Sequence, residues 1–295
     1  MGQSHVRTFD PAEFKDGIRK EWREAAPGWR AWRATMETEE GGRAVSRTLV
    51  EQARLAPGQV VLDVGAGYGE PARQAAQAVS PNGRVVLQDI AGDMLALARR
   101  QLEHEAPPEV EMSFWECDAE TLDLEPDTFD AVVSRSALMY FVDVTGTLRR
   151  LRAGVKPGGR LAASVWSSLD QVGFAAALPV ILNSLELPPP PPERPGPFTL
   201  GDPELLASRV RDAGWAEVET GTVTVPWEFD SRQACTDFLR AVAPPVTALV
   251  ADQPPEVRER VWQEVTDTAW GPFTRADGTV RLPNKAHWVS AVNPS

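Results

Sequence analysis

The chain has 295 residues, 30 Lys and Arg against 42 Asp and Glu, a formal charge of -12 and a pI near 4.9. With 42% hydrophobic and 24% charged residues it is ordinary globular material, which excludes disorder over most of its length. An acidic surface repels phosphate backbones and anionic lipid heads, so neither nucleic acid nor a membrane is an expected partner. Cys117 and Cys235 are the two cysteines, too few for a disulfide framework, and no His/Cys/Asp cluster has metal-ligand spacing. The N-terminus carries Arg7, Asp10, Glu13 and Lys15 without an apolar stretch, and no run reaches the ~18 apolar residues of a transmembrane helix. The expectation is a soluble, cytoplasmic protein.

Along the chain, Phe14, Ile18 and Trp22 repeat at helical spacing, as do Val45, Leu49 and Ala53 before Pro57-Gly58; a Trp-rich joint with Pro27, Trp29 and Trp32 lies between. From residue 59 strands and helices alternate. Val60-Val61-Leu62, Val85-Val86-Leu87, Val110 to Trp115, Phe129 to Ser134 and Leu161 to Trp166 read as five buried strands. The helices between them carry Ala72 to Val79, Met94 to Leu102 and Val144 to Val155. This rhythm predicts βαβ units and a parallel, doubly wound α/β sheet. After Trp166 come a helix around Phe174 to Leu185 and the run Pro188 to Pro192, read either as a surface excursion or as a lid. A helix with Leu205, Leu206 and Val210, a strand over Val218 to Val225 and two further helices follow. Asp277-Gly278 reads as a hairpin turn, and His287 to Val292 as the last strand.

The most informative segment is Val61-Leu62-Asp63-Val64-Gly65-Ala66-Gly67-Tyr68-Gly69-Glu70, a glycine loop between a buried strand and an Ala-rich helix. Glycines let a ligand approach the main chain at the carboxyl end of a sheet. The third glycine comes one residue too early for a dinucleotide fingerprint, and Asp63 and Glu70 bracket the turn with negative charge. That disfavours a pyrophosphate and suits an ammonium or sulfonium. Asp89 ends the second strand, where a carboxylate can accept from a ribose diol. Asp118 follows the third, where it can accept from an adenine amino group. For any single Asp at a strand end, a helix cap or solvated turn is the simpler explanation; three at successive strand ends are harder to explain that way.

On these residues the sequence resembles the class I S-adenosylmethionine-dependent methyltransferases, in their quinone-methylase-like, UbiE-type branch. The match continues through Asp89-Ile90 with Met94-Leu95, Asp118-Ala119-Glu120, Phe129-Asp130-Ala131-Val132, Ser134-Arg135 with Leu138-Met139, and Lys156-Pro157-Gly158-Gly159. It covers residues 40–166 well and the remainder loosely. The resemblance implies a Rossmann-like, doubly wound sheet of seven strands, mostly parallel with the last antiparallel. Residues 1–57 would form a helical cover, 58–166 the cofactor-binding core, 167–201 a Pro-rich insertion or lid, and 202–295 the C-terminal part of the core with a helical insertion. It implies S-adenosyl-L-methionine as cofactor, its methionine part backed by Gly65 and Gly67, with Asp63 and Ala66 in the same loop. Asp89 and Ile90 would hold the ribose, Asp118 and Ala119 the adenine, and Ser134 and Arg135 would border the sulfonium. The implied partner is a small-molecule methyl acceptor, with a homodimer left open.

For the acceptor, Trp29, Trp32, Met139 and Trp166 are candidate pocket walls, because aromatic faces attract a sulfonium and stack on flat molecules. His287 and Tyr140 are candidate catalytic groups, each weighed against plain packing. His104, between Glu103 and Glu105, reads as solvated, and His5 as part of a frayable terminus. The reaction expected is C- or O-methylation of an apolar or aromatic molecule, of the kind found in secondary metabolism. A non-catalytic cofactor-binding scaffold and an NAD(P)-binding oxidoreductase remain as rival readings.

Overall fold

The computed structural model describes residues 9–189, 191 and 194–294. His5, Arg7, the first eight residues of the expected cover, and Pro190 and Pro192 of the proline run lie outside the described residues. Seven strands form one sheet: β1 (Val60–Val64), β2 (Arg84–Asp89), β3 (Glu111–Glu116), β4 (Phe129–Arg135), β5 (Val155–Trp166), β6 (Ala216–Phe229) and β7 (Val280–Val292). Their order is β3-β2-β1-β4-β5-β7-β6. The pairs from β3 through β5 are parallel, whereas β7 runs antiparallel to both its neighbours and enters the sheet between β5 and β6.

The continuous apolar strands are explained by burial on both faces. Val61 packs on one side, in a cluster with Val85, Leu87, Ala75 and Val79; its neighbour Leu62 packs on the other, with Val132, Leu148, Leu151 and Leu206. The first side carries α3 (Gly42–Gln52), preceded by the one-turn α2 (Arg33–Met36), together with α4 (Glu70–Val79) and α5 (Gly92–Glu105). The second carries α6 (Val144–Gly154) and, later in the chain, α8 (Pro203–Asp212). Each fully buried Leu in these layers contributes ~1.5–3 kcal/mol of apolar transfer. The turn Asp277-Gly278 is present, with Gly278 at φ +89° and Arg275 N–H donating to Thr279 O at 2.8 Å.

The N-terminal helix α1 (Pro11–Ala31) starts where Asp10 accepts from Ala12 N–H at 2.8 Å and Pro11 takes the first helical position. It continues straight through Pro27, so the expected Trp-rich joint is helical up to Ala31. Pro27 lacks the N–H an interior helical residue would donate. The segment is instead held by packing, with Ala25 and Ala26 buried and Gly28 against the main chain of Ala241. Ala241 belongs to the C-terminal half, where α7 (Ala177–Ser184), α9 (Arg232–Val242), α10 (Pro244–Ala251) and α11 (Pro255–Glu264) build a separate apolar cluster over the ends of β6 and β7. α9 and α10 meet at 90°. Trp29 Nε1–H donates to Val242 O at 3.0 Å, which ties α1 to that bend. Among the described residues no single helix is long and apolar enough to cross a membrane.

A Cβ on Gly28 would lie 2.1 Å from the Ala241 carbonyl oxygen. Gly28→Val is therefore expected to cost about 1–3 kcal/mol and to lift α1 away from α9. Urea unfolding would show the loss, and hydrogen exchange would show it concentrated in α1 with β1 still protected.

Candidate functional site

β1 and β4 are neighbours, but the helices that follow them lie on opposite faces, so a crevice opens at their carboxyl ends. The glycine loop occupies it, with Gly65, Gly67 and Gly69 at φ +63°, +55° and +89°. A Cβ on Gly65 would also sit 2.3 Å from the Ala137 methyl on the turn after β4, so a side chain is excluded there twice over. The loop is pinned from β2: Gly67 N–H donates to Asp89 Oδ2 at 2.8 Å and Gly65 N–H to Gln88 Oε1 at 3.2 Å. Asp89 Oδ1 accepts from Ala91 N–H at 2.8 Å, and burial raises the carboxyl to about 6 despite these donors.

A continuous cleft starts at this loop. At one end it is lined by Gly65, Ala66, Gly67, Asp89, Ile90, Asp118 and Ala119. Asp118 Oδ1 accepts from Glu120 N–H at 2.9 Å, and Lys15 Nζ on α1 donates to its Oδ2 at 2.8 Å. At the other end the walls are Trp166 from β5, Phe174, Trp227 from β6, and Phe238, Leu239 and Val242 from α9. Trp227 stacks on Phe174 at 5.4 Å and meets Trp166 and Phe238 edge-on at 5.6 and 4.9 Å. Between the two ends runs an aromatic bridge: Trp22 meets Tyr140 and Trp29 at 5.7 Å each, and Trp29 meets Tyr68 at 5.4 Å.

Most residues singled out from the sequence line this cleft, including Arg135, Met139, Tyr140, Trp29 and Trp166. Four do not. Asp63 is fully buried beneath the loop, and neither carboxyl oxygen has a hydrogen-bond partner among the described residues. Burial raises it to about 8, against the pull of Arg135, so at neutral pH it is largely a neutral acid and offers the cleft little negative charge. Glu70 cannot supply that charge either, because Arg73 and Gln74 bind its carboxylate under the helix. Ser134 points along the sheet and donates to Val64 O at 2.9 Å, tying β4 to β1. Trp32 turns to the far side of α1, against Phe238 and Phe229.

His287 is the fourth, since alternation along β7 sends it to the face away from the cleft. Its ring bonds Ser167 Oγ at 2.9 Å and Thr222 Oγ1 at 3.1 Å in a shallow polar recess, and desolvation lowers its basicity. The Pro-rich segment contributes less than expected to the enclosure: Phe174 and Pro197 line the cleft, while α9 and α10 form most of the roof with α1.

The sequence reading missed Glu37 and Tyr68. Glu37 lines the cleft yet is 5% exposed; Arg135 Nη2 donates to it at 2.7 Å and Nη1 at 3.1 Å, and the Tyr68 hydroxyl donates to the same carboxylate. Arg135 also reaches Gly42 O and Ser46 Oγ, so one guanidinium joins β4, the start of α3 and the glycine loop. No spacing rule pairs residues this far apart.

Residues 61–159 match the family model described as a methyltransferase domain. The UbiE ubiquinone/menaquinone biosynthesis C-methyltransferase of Cellvibrio japonicus is 33% identical over 119 residues, 40% of this chain and 47% of that protein. Over this stretch the chain is similar to class I S-adenosylmethionine-dependent methyltransferases of the UbiE kind. An uncharacterised 37.1 kDa protein in transposon TN4556 of Streptomyces fradiae is 32% identical over 136 residues, 45% of this chain and 38% of that one. The chain thus spans about half the length, or less, of the curated relatives it matches. Two solved structures share the methyltransferase fold. Phosphoethanolamine N-methyltransferase 2 of Haemonchus contortus has a TM-score of 0.58 at 18% identity, covering 96% of this chain and 60% of its own. The YcgJ protein of Bacillus subtilis has a TM-score of 0.56 at 18% identity, covering 85% and 99%.

The buried acid under the loop has a measurable consequence for stability. Asp63 moves from an ordinary value of 3.8 to about 8 on folding, so folding takes up a proton between those limits. Its contribution to stability is fully present below about pH 4 and is lost as the pH rises through about 8. Asp63→Asn is expected to flatten the fall in stability across that window, by up to about 1.4 kcal/mol per pH unit, in urea titrations at pH 5 and pH 8.

Proposed function

We propose that the chain transfers a methyl group from S-adenosyl-L-methionine to carbon or oxygen of a small, apolar or aromatic molecule. The observation that carries this reading is the single roofed cleft, with acids and the glycine loop at one end and an aromatic compartment at the other. The left-handed glycines leave main chain open to the methionine part, Asp89 is fixed by two amide donors, and Asp118 faces the cleft beside Ala119. These residues fit an adenosyl cofactor.

When bound, S-adenosylmethionine supplies an electrophilic methyl carbon on a sulfonium. The chain's own task is alignment and exclusion of water. Trp166, Trp227 and Phe238 give a flat acceptor faces to stack on, and the α1/α9 roof shuts out solvent. Tyr140 is partly buried, and desolvation, with Glu21 adding to it, pushes its phenol above the usual range, so it stays protonated and acts as a hydrogen-bond donor to the acceptor rather than as a base. An acceptor whose own hydroxyl or enol ionises readily suits such a site.

Calorimetry with S-adenosylmethionine and transfer of labelled methyl to phenols, quinones and polyketides test the reading. Asp89→Ala is expected to weaken cofactor binding by about tenfold or more, the loss of one charge-assisted hydrogen bond worth ~1.5–3 kcal/mol. Trp227→Ala is expected to raise the acceptor KM while leaving cofactor affinity within about twofold. Heat with NAD(H) and none with S-adenosylmethionine would overturn the proposal.

A further inference from the structure

The adenine end of the cleft holds a cation that the proposed cofactor does not need. Lys15 on α1 lines the cleft, with its ammonium 2.8 Å from Asp118 Oδ2 and 3.2 Å from Glu120 Oε1. Asp118 Oδ1 is already committed to Glu120 N–H, as the cap of the short turn Ala119–Thr121. Oδ2, which no backbone N–H holds, is the more open oxygen for an incoming amino group, and Lys15 sits on it. Two donors crowded on that oxygen would bring their positive hydrogens together.

Glu120 offers the cation another seat. Its carboxylate is buried and fixed by Val142 N–H at 3.0 Å on Oε1 and Asp143 N–H at 2.8 Å on Oε2. Lys15 already bridges the two acids, so a small side-chain shift suffices to leave it on Glu120 alone, with α1 staying in place. We infer that Lys15 is an affinity-setting residue that competes with the adenine amino group for Asp118 and withdraws to Glu120 when a nucleoside binds. The inference rests on the cofactor reading above. It makes Asp118 and Glu120 two seats for one cation, which keeps the roof helix ion-paired with the cleft occupied or open.

The test is calorimetry of the full chain with S-adenosylmethionine and S-adenosylhomocysteine. Lys15→Met and Lys15→Gln are expected to bind both about two- to fivefold more tightly, the range spanned by one partly exposed ion pair. Glu120→Gln is expected to weaken both, because Lys15 loses its second seat, and Lys15→Met/Glu120→Gln is expected to match Lys15→Met. Wild-type binding with Lys15→Met unchanged or weaker would overturn the assignment. So would tightening confined to the cationic S-adenosylmethionine, which would mark Lys15 as a distant charge. If the wild-type chain bound neither ligand, the cofactor reading would fall, and this one with it.

Discussion

The divergence of the chain at the ends of β1 and β4 is the constraint on which the site depends. Two parallel strands lie side by side, yet their following helices leave to opposite faces, and something must fill the gap without blocking it. Left-handed glycines and a side-chain-free approach to Ala137 are the local solution. The solution is reinforced from below by the Ser134 hydroxyl on Val64 O and from the side by Asp89 and Gln88 on the loop amides. A loop held by so many donors and acceptors is organised before any ligand arrives, which lowers the ordering cost of binding.

Charge is arranged in two layers around that loop. The inner layer is a buried, largely neutral Asp63 and, at the cleft wall, the mutually compensated set of Glu37, Arg135 and Tyr68. The outer layer faces the cleft as Asp89, Asp118 and Glu120, partly answered by Lys15. The inner set fixes geometry, because a bidentate guanidinium on a carboxylate tolerates little displacement. The outer set is the one that the proposed cofactor would meet. An acidic residue in the glycine motif and one at a strand end thus have different work, although they look alike in the sequence.

The parallel half of the fold was legible because doubly buried strands leave continuous apolar runs, and because glycines and strand-end acids stand at short, fixed spacings. The last strand was legible in its second half, His287 to Val292, while its first half, with exposed Arg281 and Lys285, hid in a polar stretch. Side-chain direction was harder. His287 and Asp63 each belong to a strand near the site, but a two-residue period decides which side sees the cleft, and a one-position difference separates Ala286 inside from His287 outside. The roof was half legible. α1 announced itself by Phe14, Ile18 and Trp22, whereas α9 reads as an ordinary amphipathic helix, and only the tertiary contact of Gly28 with Ala241 shows which part of the C-terminal half covers the cleft.

The position of β7 also bears on how the molecule assembles during synthesis. Strands β1 to β5 need nothing beyond Trp166 to pair with one another, but β6 has no sheet neighbour except β7, the final strand. A nascent chain that has left the ribosome as far as β6 therefore holds a finished parallel half and a strand still without its sheet partner. β7 pairs with β6 on one side and β5 on the other, so among the described residues this strand alone joins the antiparallel edge to the parallel half of the sheet.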